Sequence, residues 1–218
     1  MKIAILLYDR FTALDAIGPY EVLSRLPDAS LTFVAQEAGP VRTDNGILTV
    51  LVESAIYDVA PPDIVLVPGG PGEVAARAGG PVLDWLRSVH ETSTWTTSVC
   101  TGSLILAAAG LLEGKRATSH WLALEALGRL GAMPVAERVV FDGKLVTAAG
   151  VSAGIDMALA LAARIAGDQV AQAIQLGIEY DPHPPFDAGS PAKAPSDVVE
   201  LLRARSRFEQ GEAAAARR

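Results

Sequence analysis

The chain has 218 residues, half of them apolar and a fifth charged; that fills a sizeable core and excludes disorder as the ground state. Eighteen basic against 25 acidic residues leave a net charge of −7, a poor match for a polyanion, so no nucleic-acid partner is expected. One cysteine excludes an internal disulfide and a cysteine-rich zinc site; His90, His120 and His183 lack metal-ligand spacing, so no metal is expected.

Residues 2–7 form a short apolar run closed by a turn, the pattern of a buried parallel strand. This run is too short for a signal-peptide core. The longest uncharged apolar run, residues 99–112, is shorter than the roughly 18 residues of a membrane span. A soluble cytoplasmic protein with no membrane partner is expected. Residues 15–26 have a helical pattern in Ile17, Val22, Leu23 and Leu26. Residues 31–35 read as a second strand. Residues 41–43 and 47–52 flank Asp44-Asn45-Gly46, whose Asn-Gly pair suits a tight hairpin turn. Residues 63–67 form another buried strand, which ends in Pro68-Gly69-Gly70-Pro71-Gly72. A helix over 82–90 and a strand over 95–99 follow, and Cys100 stands at that strand's end.

Residues 101–112 read as a helix, 116–119 as a brief strand and 121–130 as a helix. Residues 135–140 and 145–149 flank Phe141-Asp142-Gly143-Lys144, a second hairpin signal. Helices over 152–166 and 168–180 part near Gly167. Residues 181–195 carry five prolines and read as a loop. A last amphipathic helix runs over 196–208, and the Ala-rich tail 209–218 is expected to fray. Strands alternate with helices and the central strands are apolar, which implies an α/β sandwich around a mostly parallel sheet with hairpins at its margins. No internal repeat or long linker divides the chain, so residues 1–208 are expected to form one domain.

Chemistry concentrates in Ser98-Val99-Cys100-Thr101-Gly102, between a strand and a helix. A nucleophile elbow needs a sharp turn there, with small residues two before and two after the nucleophile. Ser98 and Gly102 meet that demand. The helix N-terminus beyond is expected to lower the thiol pKa. A buried, inert cysteine is the competing reading. The glycines after Pro68 also end a strand at the carboxyl edge, where open α/β sheets bind ligands. Their N–H groups suit an oxyanion site, and an ordinary glycine turn fits equally well. Asp15 reads either as a helix cap or as a carboxyl shielded enough to keep a proton. His120 reads first as a helix-start or core residue, with a place in the pocket as the alternative.

The Cys100 elbow, the Pro68-Gly69-Gly70 turn and Asp15 with Gly18-Pro19 resemble the DJ-1/PfpI superfamily. Thr97 to Ser103, Gly114 to Thr118 with His120-Trp121, Ala153-Gly154-Ile155-Asp156 and Pro184 to Pro191 resemble its isocyanide hydratase branch. The resemblance runs collinearly from residue 1 to about residue 205. It implies a flavodoxin-like three-layer sandwich, a homodimer and a cysteine nucleophile. On this resemblance Cys100 and Asp15 are catalytic, and Gly70 and Thr101 polarise the site or orient the thiolate. The implied substrates are an isocyanide and water, joined through a cysteine thioimidate to give an N-substituted formamide, with no cofactor. Many superfamily members carry Glu where this chain has Asp15, and the peptidase-like members carry His where it has Thr101. Those departures count against the main competitors, a glyoxalase-like or amidase-like enzyme. A non-enzymatic cysteine redox sensor is the third reading.

Overall fold

The computed structural model describes residues 1–208; the tail expected to fray, 209–218, lies outside the described residues. The first half runs β1 (Lys2–Leu6), α1 (Ala13–Leu23), β2 (Ser30–Ala35), β3 (Gly39–Arg42), β4 (Thr49–Val52), β5 (Ser54–Ala55), β6 (Ile64–Val67), α2 (Glu73–Ala76), α3 (Pro81–Thr92) and β7 (Trp95–Val99). The second half runs α4 (Gly102–Ala108), β8 (Arg116–Ala117), a 3-10 turn at Trp121–Ala123, α5 (Leu124–Arg129), β9 (Met133–Pro134), β10 (Val139–Asp142), β11 (Leu145–Ala148), α6 (Ala153–Ala166), α7 (Asp168–Gly177) and α8 (Ser196–Ala204).

Seven strands form the central sheet in the order β10-β11-β7-β6-β1-β2-β5. All neighbours are parallel except β10, which pairs antiparallel with β11 at the edge. Successive side chains of a strand point to opposite faces, and that period splits the core in two. Ile3, Ile5 and Leu7, with Ile64 and Leu66, pack beneath α1, α6 and α7. Ala4 and Leu6, with Val65 and Val67, pack beneath α3, α4 and α5. Such two-sided burial explains why these strands read as continuous apolar runs. Helix α6 buries Ala153, Met157, Ala158, Leu161 and Ala162, a stripe at helical spacing. The result is the expected α/β sandwich with helices on both faces.

The second hairpin, β10–β11, forms that antiparallel margin; Gly143, at φ +60°, supplies the left-handed turn position. The first hairpin departs from expectation. β3 and β4 pair with each other outside the central sheet, and their connection is wider than a two-residue Asn-Gly turn. Asp44 is drawn elsewhere: its N–H donates to the Phe11 carbonyl, and its Oδ2 accepts from the Thr12 hydroxyl. Helix α4 ends at Ala108, ahead of Gly110 at φ +80°, and α2, β5 and β9 were not anticipated. Among the described residues no helix is long and apolar enough to cross a membrane.

Because the central strands are parallel, the carboxyl ends of β1, β6, β7 and β11 meet at one edge. The segments leaving those ends carry Asp15, the 68–72 turn, Cys100 and Gly150.

Candidate active site

Cys100 takes φ +57°, a left-handed conformation rare for a residue with a side chain. Such strain costs about 1–3 kcal/mol and persists only where the surroundings impose it. Here they do. The Cys100 N–H donates to the carbonyls of Ala148 and Ala149, at 3.0 and 3.2 Å. Its carbonyl accepts the hydroxyls of Ser103 and Ser119, each at 3.0 Å. A Cβ on Gly102 would lie 2.1 Å from the Val67 carbonyl oxygen, so only glycine fits there. The turn therefore has the form of a nucleophile elbow. Sequence reading passed over Ser103 and Ser119; the first lies three residues past the cysteine, where its hydroxyl can fold back on the turn.

Asp15 is the third residue of α1 and is fully buried. Its carboxylate does not cap the helix. Instead Oδ2 accepts the Gly69 N–H at 2.9 Å, from 54 positions along the chain. The Gly69 carbonyl in turn accepts the Thr12 N–H at 2.9 Å, so the turn after β6 is bonded to the start of α1 through both its polar groups. A Cβ on Gly69 would lie 2.9 Å from Asp15 Oδ2 and 2.5 Å from the Thr101 nitrogen; a side chain there would wedge acid and elbow apart. Burial pushes the Asp15 carboxyl up to about 7, against the opposing pull of the Gly69 N–H and the Cys100 thiol.

Carboxyl and thiol are close enough that each shifts the other's proton. The contact is not a well-aligned hydrogen bond, since Asp15 Oδ1 lacks a partner of good geometry. Burial first, and then the Asp15 charge, push the thiol well above its ordinary value. The N–H and hydroxyl of Thr101 pull it down but are outweighed. This corrects the expectation that the helix N-terminus lowers the thiol pKa. Helix α4 has only seven residues, and its N-terminal pull acts on a group out of water and beside an acid.

Thr101 lies against the elbow, and its Oγ1 accepts the Gly70 N–H at 3.0 Å. The Gly70 amide is thus engaged with the Thr101 hydroxyl. Gly70 has φ +131°, and a Cβ there would lie 2.6 Å from the Arg10 carbonyl oxygen. His120 stands beside the thiol. A Cβ on Gly150 would fall 2.5 Å from the His120 ring and 3.3 Å from Cys100 Sγ, so both groups border the space that Gly150 leaves open. Burial and the nearby Arg207 hold the imidazole pKa below its ordinary value, so the ring is neutral at pH 7. Its Nδ1 accepts the Leu122 N–H at 3.3 Å. Sequence reading marked Gly69 only as part of the glycine turn, not as the donor to Asp15, and it missed Gly150 and Tyr8, the tyrosine hydroxyl donating to the Pro68 carbonyl at 2.7 Å. His90 bonds Thr96 and His183 pairs with Asp181; the site includes neither. Among the described residues no three His, Cys, Asp or Glu side chains gather as metal ligands.

A buried acid beside a strained cysteine at the carboxyl edge of a mostly parallel sheet is the candidate site of an α/β protein. The DJ-1/PfpI family model matches residues 1–164, and the chain belongs to that family. It is 46% identical over 206 residues to the isonitrile hydratase of Pseudomonas putida, an alignment covering 94% of this chain and 90% of that one. A THiJ/PfpI family protein from Pseudomonas syringae superposes with a TM-score of 0.91 at 37% identity, covering 96% of this chain and 87% of that one. Drosophila melanogaster DJ-1beta shares the fold, with a TM-score of 0.75 at 24% identity over 83% of this chain and 98% of that one.

Proposed function

We propose that the chain hydrates isocyanides to N-substituted formamides, with Cys100 as nucleophile and Asp15 as proton carrier. The observation that carries this reading is the buried Asp15–Cys100 pair, which holds one proton between two groups that cannot both ionise cheaply. An isocyanide carbon needs a nucleophile and then a proton, and such a pair supplies both. The 46% identity to the isonitrile hydratase supports the choice of substrate.

Asp15 as carboxylate takes the thiol proton while Sγ bonds to the isocyanide carbon. The carbon, now carrying a lone pair, takes that proton back from Asp15, and a cysteine thioimidate with a C=N bond results. Asp15, again a carboxylate, deprotonates water as its oxygen adds to the carbon, and passes the proton to nitrogen. Asp15 then takes the hydroxyl proton of the tetrahedral adduct as the carbonyl forms and the C–S bond breaks, and returns that proton to Sγ. The sum is isocyanide plus water giving formamide, by nucleophilic and general acid–base catalysis. Thr101, held by Gly70, steadies sulfur whenever it is anionic.

A redox-sensing role would require a thiolate at neutral pH, and the raised thiol pKa argues against it. We also propose residues 1–208 as one domain, a homodimer as the working unit and the cytoplasm as its compartment. Exposed apolar Leu14 on α1 suits a face between two copies. Incubation with a panel of alkyl and aryl isocyanides, with formamide measured directly, tests the activity. Turnover by the parent and none by Cys100→Ser is expected; no formamide from any isocyanide would refute it. Light scattering at micromolar concentration is expected to return the mass of two chains.

A further inference from the structure

Glu73 is the second fully buried carboxylate near this edge, and the mechanism gives it no task. It opens α2, directly after the 68–72 turn. Two arginines close on it. Arg77 Nε lies 2.5 Å from Oε2, and Arg207 Nη2 lies 2.9 Å from Oε1. The second contact is an ion pair rather than a well-aligned hydrogen bond. Arg207 has a further attachment: its Nη1 donates to the Pro71 carbonyl at 3.0 Å, across 136 positions of sequence. A single guanidinium thus grips the chain on both sides of Gly72.

Gly72 is fixed on its other side as well. Its N–H donates to the Arg10 carbonyl at 3.2 Å, and a Cβ there would lie 1.9 Å from the Asp9 carbonyl oxygen. The segment so clamped is the one whose Gly69 amide holds Asp15 and whose Gly70 amide holds Thr101. We infer that Arg207 is a positioning residue for this site: its fork ties the C-terminal segment to Pro71 and Glu73 and fixes the turn that sets Asp15 and Thr101. Arginine suits the task because its planar fork presents two donors in fixed directions, which a lysine ammonium does not. The charge of Arg207 also acts on the imidazole of His120 and the hydroxyl of Tyr8.

The kinetic part of this inference rests on the hydratase reading; the titration part does not. In Arg207→Ala the turn loosens and the Gly69 N–H donates less well to Asp15. The Asp15 carboxyl then titrates at higher pH, and kcat for hydration falls by about tenfold, since small misplacements of reacting groups cost rate steeply. KM changes less, because Arg207 acts through the turn. Two measurements check this: the pH dependence of kcat/KM, and NMR titration of 13C-labelled aspartate with Asp15→Asn assigning the resonance. Arg207→Lys is expected to recover part of both effects. An Asp15 titration unchanged in Arg207→Ala would overturn the inference, as would a loss of kcat that leaves the titration in place, the mark of a merely structural tether. Should Arg207→Ala fail to fold, Arg207→Gln, which keeps the stem and one amide donor, is judged on the same two measurements. If the parent itself makes no formamide, the hydratase reading fails, and the Asp15 titration alone still decides the role of Arg207.

Discussion

A carboxyl and a thiol buried side by side compete for one proton, because water is not there to solvate two anions. Their titration belongs to the pair. The first ionisation lies near the Asp15 value of about 7, and the second lies well above an ordinary thiol. Since the chain has one cysteine, alkylation reports on Cys100 alone. We expect the alkylation rate to rise with a midpoint above the free-thiol value of about 8.5. Asp15→Asn should move that midpoint down by removing the carboxylate charge. A parent midpoint at or below about 8.5 would mean that Thr101 and the helix N-terminus dominate after all. In the proposed hydration the singly protonated pair is the active form, so kcat/KM should rise with pH through about 7. Asp15→Asn should lower the rate by about 10²–10⁴ and erase that rising limb. Asp15→Glu should retain more activity than the amide and less than the parent, since its extra methylene displaces the carboxyl from the Gly69 amide.

At the scale of elements, the elbow depends on how closely α4 approaches the end of β6. Gly102→Ala would place a methyl 2.1 Å from the Val67 carbonyl oxygen, a backbone atom with no room to yield. Overpacking of this kind costs about 1–3 kcal/mol, and we expect a lower unfolding midpoint together with lost activity, because the displaced backbone is that of Cys100. An unchanged midpoint would mean that the helix start can shift without cost. This close approach was legible in sequence, since Ser98 and Gly102 flank Cys100 at the spacing an elbow requires. So was the sheet, because β1, β6 and β7 are bounded runs and their neighbours show helical spacing. Contacts that join distant segments left no such trace. The Gly69 amide on Asp15, the Ser119 hydroxyl on the Cys100 carbonyl and the Arg207 fork on Pro71 each link residues at least 19 positions apart. The first hairpin forms, but its turn is wider than expected for the same reason: Asn45-Gly46 has local turn chemistry, and Asp44 is bonded to Phe11 and Thr12. The thiol pKa went astray through burial, because the helix N-terminus is a local feature and desolvation is set by the whole fold.

For the whole molecule, a site that raises a carboxyl pKa must oppose folding at the pH where that carboxyl is charged. Asp15 moves from 3.8 to about 7 on folding, so the native state holds its proton more tightly than the unfolded chain. The contribution is therefore fully present below about pH 3.8 and is lost as pH rises through about 7. About three pKa units correspond to about 4 kcal/mol, an upper figure because the neighbouring thiol shares the proton. Asp15→Asn cannot ionise and escapes that loss, while the acids other than the coupled Cys100 thiol titrate alike in parent and variant. The difference in unfolding midpoint, variant minus parent, should thus grow between pH 4 and pH 8. For a chain of this length it should reach about 5–10 °C in favour of the variant at the alkaline end. The variant that gains this stability is the one expected to lose hydration, as is common where a strained or desolvated group serves the reaction. Parallel thermal melts of the two proteins across that range check the argument. A difference that stays flat, or that falls as pH rises, would mean that the Asp15 carboxyl is as well stabilised in its charged form inside the fold as in water, and the proton-carrier role would lose its physical basis.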